Sequence, residues 1–405
     1  MNLRALYRSP AVRSAATFGI GGVAFALANL MFARSIPALD YGLLSLMIGV
    51  VAVAGPIGPM GLDYVLVRRG WTLHKTLRGP SLLTSTAVGL LAVAVSALLY
   101  HLSLPLLLAT LVATVSASVS QLVSAHYQSQ REFGISGVFL QGMNWSLLAI
   151  AAIALGLGVT AAAPLAALIA GCGLLLAIIG WSIVAGAGND KAGQPMQGLW
   201  REAMALMLIN VTGSALLQLE RLVLPVTVGI EDLALFGVAA ALVGSPFRML
   251  QMAATFTIVP RMRDAASVAE RRHLLRQEFA LFCIIMGPAA IALWFLAPPL
   301  AHWFLHGKYD LGAALVLAMI VSGLLKVLGA FAASVVSALA SEAGLHLLGW
   351  LSWGCILLAC VAAFGLRQYG LVGVIYATAL GWVARIMAAA WISAPYLRTA
   401  RTGNR

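Results

Sequence analysis

Apolar residues in this chain come in long blocks separated by short polar breaks, with no stretch alternating at strand spacing. Blocks of roughly 20 residues match a hydrocarbon layer about 30 Å thick, and they predict membrane-spanning helices. Twelve such helices are predicted, at residues 14–33, 41–62, 80–100, 104–124, 135–157, 163–185, 203–228, 233–259, 279–299, 311–336, 345–364 and 371–392. Without alternation there is no basis for an outer-membrane barrel. The fold class expected is therefore all-α, a polytopic membrane protein.

The longest polar connections are "AGNDKAGQPMQGLWRE" at 187–202 and "RMRDAASVAERRHLLRQE" from Arg261 to Glu278, both too short for a soluble catalytic domain. The first follows the sixth helix. It divides the chain into an N-terminal six-helix lobe at 1–186, a linker at 187–202, a C-terminal six-helix lobe at 203–394 and a basic tail at 395–405, the pattern of parallel repeats. A weak internal echo, "DYGLLSL" from Asp40 and "DLALFGVAAAL" from Asp232, fits that division. Proline interrupts several spans, notably in "AGPIGPMG" (Ala54 to Gly61) and at Pro225, Pro246 and Pro288; such kinks suit either a moving bundle or ordinary bent spans.

Composition adds orientation. Hydrophobic residues make up 61% of 405 positions and charged residues 9%, too apolar for a soluble chain, so the net charge of +12 does not point to nucleic acid. With a cytoplasmic N-terminus, eighteen of the 25 Lys and Arg fall in inner segments: Arg4, Arg8, Arg13; Arg68, Arg69, Lys75, Arg78; Arg131; Lys191, Arg201; Arg261, Arg263, Arg271, Arg272, Arg276; and Arg398, Arg401, Arg405. Only Arg34, Lys308 and Arg367 fall outside. This is the positive-inside asymmetry of an inner-membrane protein with both ends in the cytoplasm, and membrane lipids are its expected surroundings. A cleaved leader ending near Ala28 is the alternative for the first block, but the apolar run continues to Arg34. The four cysteines lie in apolar spans and read as small hydrophobes.

The remaining four cations, Arg221, Arg248, Lys326 and Arg385, lie inside spans with a single acid, Glu220. At roughly 2.5–3.5 kcal/mol each on insertion scales, they oppose assembly by about 10–14 kcal/mol unless they face water or a partner. Glu220 and Arg221 are adjacent, about 100° apart on a helix, which disfavours a direct pair. The surplus predicts a cavity that awaits an anion, and arginine forks suit a diphosphate. Arg221 and Arg385 have a second reading, snorkelling to a membrane surface, and Arg34 could be an interfacial anchor. Asn29, Gln121, Asn144, Asn210, Gln218 and Gln251 are expected either to line the cavity toward sugar hydroxyls or to bond helices together. His302 and His306 share a helix face, but two imidazoles without a third ligand do not make a metal site. No P-loop, nucleophile elbow or metalloprotease motif occurs, so neither enzymatic chemistry nor a cofactor is expected.

"FARSIPALDYGLLSL" (Phe32 to Leu46) resembles the opening of polysaccharide-exporting flippases, a branch of the multidrug/oligosaccharidyl-lipid/polysaccharide (MOP) exporter superfamily. "AHYQSQREFG", "QLERLVLPVTVGIEDLALFGVAAAL", "LHGKYDLGAALVLAMI" and "YGLVGVIYATAL" follow in the same order over nearly the whole chain. The resemblance implies two lobes around a V-shaped, MATE-like cavity. It also implies movement of undecaprenyl-diphosphate-linked oligosaccharide across the inner membrane by alternating access, for O-antigen, capsule or exopolysaccharide assembly alongside other assembly proteins. Arg34 matches the arginine that ends the first helix in that family, and Glu220 stands where relatives often carry aspartate, a candidate for ion coupling. The competing expectation, a drug or cation antiporter of the same superfamily, requires buried acids; here one acid faces four cations.

Overall fold

The computed structural model describes residues 10–186, 198–265 and 267–397. Arg4, Arg8, Lys191, Arg398, Arg401 and Arg405, the side chains of Arg13 and Arg263, and most of the predicted linker and tail lie outside the described residues. The described residues are helical nearly throughout, with no strand among them. The helices are α1 (Pro10–Ser35), α2 (Ala38–Ile57), α3 (Leu62–Arg69), α4 (Lys75–Tyr100), α5 (Leu104–Ser129), α6 (Phe133–Leu157), α7 (Ala162–Gly186) and α8 (Leu199–Leu217). They continue as α9 (Leu219–Thr227), α10 (Ile230–Ala239), a π turn (Ala240–Gly244), α11 (Ser245–Asp264), α12 (Val268–Leu305), α13 (Ala313–Leu339), α14 (Glu342–Leu366), a 3-10 turn (Arg367–Tyr369) and α15 (Gly370–Leu397).

Among the described residues, nine segments are long and apolar enough to cross a membrane, ten if the bent pair Leu199–Leu217 and Leu219–Thr227 is one span. The last of the nine, Glu342–Leu397, contains both α14 and α15, and Gly19–Ser35 of α1 is a shorter apolar helix. Counted in this way, the segments correspond to the twelve predicted blocks. The ends differ, because a hydropathy window stops where charge begins whereas the backbone's hydrogen bonding does not. The clearest case is Arg261–Glu278, expected as a polar connection: α11 runs to Asp264 and α12 resumes at Val268. The seventh block, expected as one helix, is two, bent by 50° at Gln218.

The chain divides into two compact units, residues 1–241 with 304–308, and 242–303 with 309–405. In unit 1, α5 is the hub, packed against α2, α3, α4, α6 and α7. Its serines and threonines do more than fill space. Pro59 has no N–H for the Gly55 carbonyl, and the Ser118 hydroxyl donates to that carbonyl at 2.8 Å instead. Thr84 on α4 does the same for the Gly58 carbonyl, also at 2.8 Å. A broken span is thus re-satisfied by neighbours. In unit 2, α13 lies between α11 and α15, and α14 packs on α15.

The residues of "DYG" that open α2 are structural. Asp40 Oδ1 accepts from the Ala162 amide at 2.8 Å and so caps α7. Tyr41 is fully buried; its ring lies against Gly237 and its hydroxyl donates to Asn29 Oδ1 at 3.2 Å. Gly42 admits the backbone of α10, since a Cβ there would sit 2.3 Å from the Ile230 carbonyl oxygen. Lys308, expected only as an outer loop charge, donates to the Ala33 carbonyl at 2.8 Å and to that of Ile36, closing the end of α1. Burial there holds its ammonium below the ordinary lysine range.

Candidate functional site

In unit 1 the break between α8 and α9 gathers Gln218, Glu220 and Arg221, with 9%, 0% and 5% of their surfaces exposed. Half-helices in a membrane leave backbone groups unanswered, which is where polar side chains are tolerated. Arg221 donates to Gln218 Oε1 at 3.4 Å, and its guanidinium lies 5.4 Å from the centre of the Phe25 ring on α1. Its stem passes Gly49 on α2, where a Cβ would come within 3.0 Å. The Arg221 side chain is thus buried against Phe25 of α1 and Gly49 of α2. Arg34, at the last turn of α1, is exposed and sits 5.7 Å from the Phe304 ring centre.

The π turn at Ala240–Gly244 and Pro246 precede two residues of unit 2, Arg248, which is exposed, and Gln251, which is half-buried. Phe247 is buried and fills the place a Cβ would take on Gly323 of α13. One turn further along α13 comes Lys326, and one turn beyond that Gly329, which takes the Trp382 ring of α15 in the same manner. Arg385 follows Trp382 by one turn, its guanidinium 5.6 Å from that ring's centre. Arg248 on α11 and Arg385 on α15 thus lie on the two helices that pack on α13, which carries Lys326. Arg385 is 6% exposed, and its Nε has no hydrogen-bond partner among the described residues. Nor does any described carboxylate pair with it.

The uncharged candidates divide differently. Asn29 is buried, donating to the Phe25 carbonyl at 2.8 Å and accepting from Tyr41, so it ties α1 to α2. Asn144 donates to Gln141 Oε1 at 2.7 Å on its own helix, and Asn210 to the Leu206 carbonyl at 2.8 Å. Gln121 donates to Asp63 Oδ2 at 2.6 Å. Asp63 escapes the sequence reading because it falls one residue past the second predicted helix, where it looks like a loop acid. It is instead 4% exposed at the start of α3. Among the described residues no three His, Cys, Asp or Glu gather to hold a metal ion.

No family model and no curated protein matches the chain. Solved structures do match its fold. An inward-facing multidrug-resistance MATE transporter of the MOP superfamily superposes with a TM-score of 0.65 at 14% identity, over 94% of this chain and 96% of the other. The lipid II flippase MurJ, in an inward closed conformation, gives 0.66 at 10% identity over 94% and 87%. A MOP superfamily transporter from Pyrococcus furiosus, described as having a binding pocket of reverse polarity that suggests a different function, gives 0.57 at 15% over 96% and 97%. Identities this low speak to fold, and together with the apolar spans they make the chain a multi-pass membrane protein with the fold shared by MATE transporters and MurJ.

Proposed function

We propose that this protein is a flippase that moves undecaprenyl-diphosphate-linked oligosaccharide across the inner membrane, with both termini cytoplasmic, in the assembly of O-antigen, capsule or exopolysaccharide. The observation that carries the reading is Arg385: a guanidinium with 6% of its surface exposed, in an apolar span, with no described carboxylate to answer it. A charge so placed is costly unless a ligand supplies the counter-charge. Arg248 and Lys326 on the adjoining helices extend the same sign, and a diphosphate carries enough negative oxygens to engage a planar fork and a point charge together. The lobe division at 187–202 is the repeat boundary in this reading. For the Pyrococcus furiosus transporter, reversed pocket polarity goes with a suggested change of function, which gives the sign of these charges added weight.

A second reading, a drug or cation antiporter, draws on the fully buried Glu220 at the broken span. The two separate in one experiment. In a strain lacking its own flippase, Arg385→Ala, Lys326→Ala and Arg248→Ala are expected to abolish polysaccharide export while the protein still inserts, and Glu220→Gln is expected to leave part of it. Drug resistance that needs Glu220 and survives all three alanine changes would replace the flippase reading with the antiporter.

A further inference from the structure

Asp63 stands apart from the cationic residues. It begins α3, just after the turn in which Pro59 breaks the span and Gly61 adopts a left-handed conformation (φ 81°). Gly61 also presses on α8: a Cβ there would lie 2.0 Å from the Ala203 carbonyl oxygen. The carboxyl is sealed beneath this joint. Its Oδ2 takes the Gln121 amide, and its Oδ1 has no partner among the described residues.

What surrounds it matters for its charge. Helix α3 packs on α5 and α8. From α5 come His126, whose Nδ1 already accepts the Leu73 amide at 3.1 Å, and Tyr127, stacked on Phe139. From α8 come Glu202, held by Arg68 and Arg69 at the far end of α3, and Arg201, which is exposed. The neighbouring Tyr64 is a phenol kept neutral by burial and by the Asp63 charge. Among the described residues no cation pairs with the carboxyl. An ionised acid in such a place has the Gln121 amide and the backbone amides of Asp63 and Tyr64 but no counter-charge, and burial outweighs those donors, whereas a protonated one carries no charge to be answered.

We infer that Asp63 is a proton-binding site of unit 1, protonated in one stage of the working cycle and ionised in another. Loss of the proton places a bare charge under the α2–α3 joint and strengthens its hold on Gln121; gain of the proton relaxes that hold. Burial, the largest influence, raises this carboxyl to about 6, so the exchange falls within the range a cell can use. The role as part of a transport cycle rests on the reading of the protein as a transporter; the site itself does not.

The test uses the purified full chain in lipid nanodiscs and in liposomes. Infrared spectra recorded from pH 8 to pH 5 are expected to show a carboxylic-acid band growing in near pH 6 in the wild type, absent in Asp63→Asn and restored in Asp63→Glu. A titration indistinguishable between wild type and Asp63→Asn overturns the proposal. In liposomes carrying a fluorescent undecaprenyl-diphosphate glycolipid, an imposed pH gradient is expected to change wild-type translocation severalfold and to leave Asp63→Asn at its rate without a gradient. Equal responses of the two proteins overturn the link to the cycle. If the wild type moves no glycolipid while the infrared band still titrates, the flippase reading fails and the proton site stands.

Discussion

In unit 1, Arg221 has the Gln218 amide and the Phe25 ring, and Asp40 has the Ala162 backbone. In unit 2, Arg385 has the face of Trp382 and an Nε with nothing to donate to among the described residues. The two units are built from the same kind of apolar helix, so the difference is not one of solvent. It lies in how the two buried arginines are answered: Arg221 has a side-chain acceptor as well as a ring, in a unit where hydroxyls of α4 and α5 serve even the broken backbone. In the proposed function, the diphosphate supplies the counter-charge to the cation that has only an aromatic face in the other unit. Burying a charge is tolerable when something compensates it, and the protein supplies little of that compensation at Arg385.

The comparison breaks most readily at Arg385. Replacing it by Ala is expected to remove about 3–5 kcal/mol of binding to a diphosphate, more than a hundredfold, read as the affinity of the nanodisc protein for undecaprenyl diphosphate. Thermal stability without ligand should stay level or rise, since an uncompensated charge is lost. A fall in stability with no change in affinity would place Arg385 among structural residues like those of unit 1.

Asp63 gives the next largest effect, with a sign fixed by pH. A carboxyl raised from 3.8 to about 6 favours the fold fully below about 3.8, and that contribution is lost as pH rises through about 6. Asp63→Asn should therefore be the more stable protein at pH 8, by about 3 kcal/mol. The gap should close as pH falls through 6 toward 4, which melting curves across that range would show. Gly42→Ala should cost about 1–3 kcal/mol, because the obstacle is the Ile230 backbone and not a yielding side chain. Asp40→Ala should cost about 1 kcal/mol through the loss of the α7 cap. Both losses sharpen the contrast if they lower melting temperature and leave diphosphate affinity alone.

Much of this is legible in the chain as written. The twelve apolar blocks stand against the observed helices because desolvation and backbone hydrogen bonding act together over about 20 residues. Their ends are not legible, since the first turns of α12 are charged yet helical. The in-span position of Arg221 is plain, but its path between Phe25 and Gly49 depends on packing that no local pattern encodes. By sequence Asn29 is open to either role, and only its partners, Phe25 and Tyr41, show it joining helices. Asp63 stays hidden for a physical reason: hydropathy treats an acid beyond the last apolar residue as solvated, and what buries it is a turn closed by residues on α4 and α5.

The cap that Lys308 places on α1 has a practical consequence for anyone dividing this gene. Residues 304–308 belong to unit 1 although more than 60 residues of the other unit precede them in the chain. A fragment stopping at Ala241 would leave the carbonyls of Ala33 and Ile36 bare at the very end of the helix that carries Arg34. Such a half should regain its stability when supplied with a second piece spanning the "LHGKYD" segment, and should fail to regain it when Lys308 in that piece is replaced by Met.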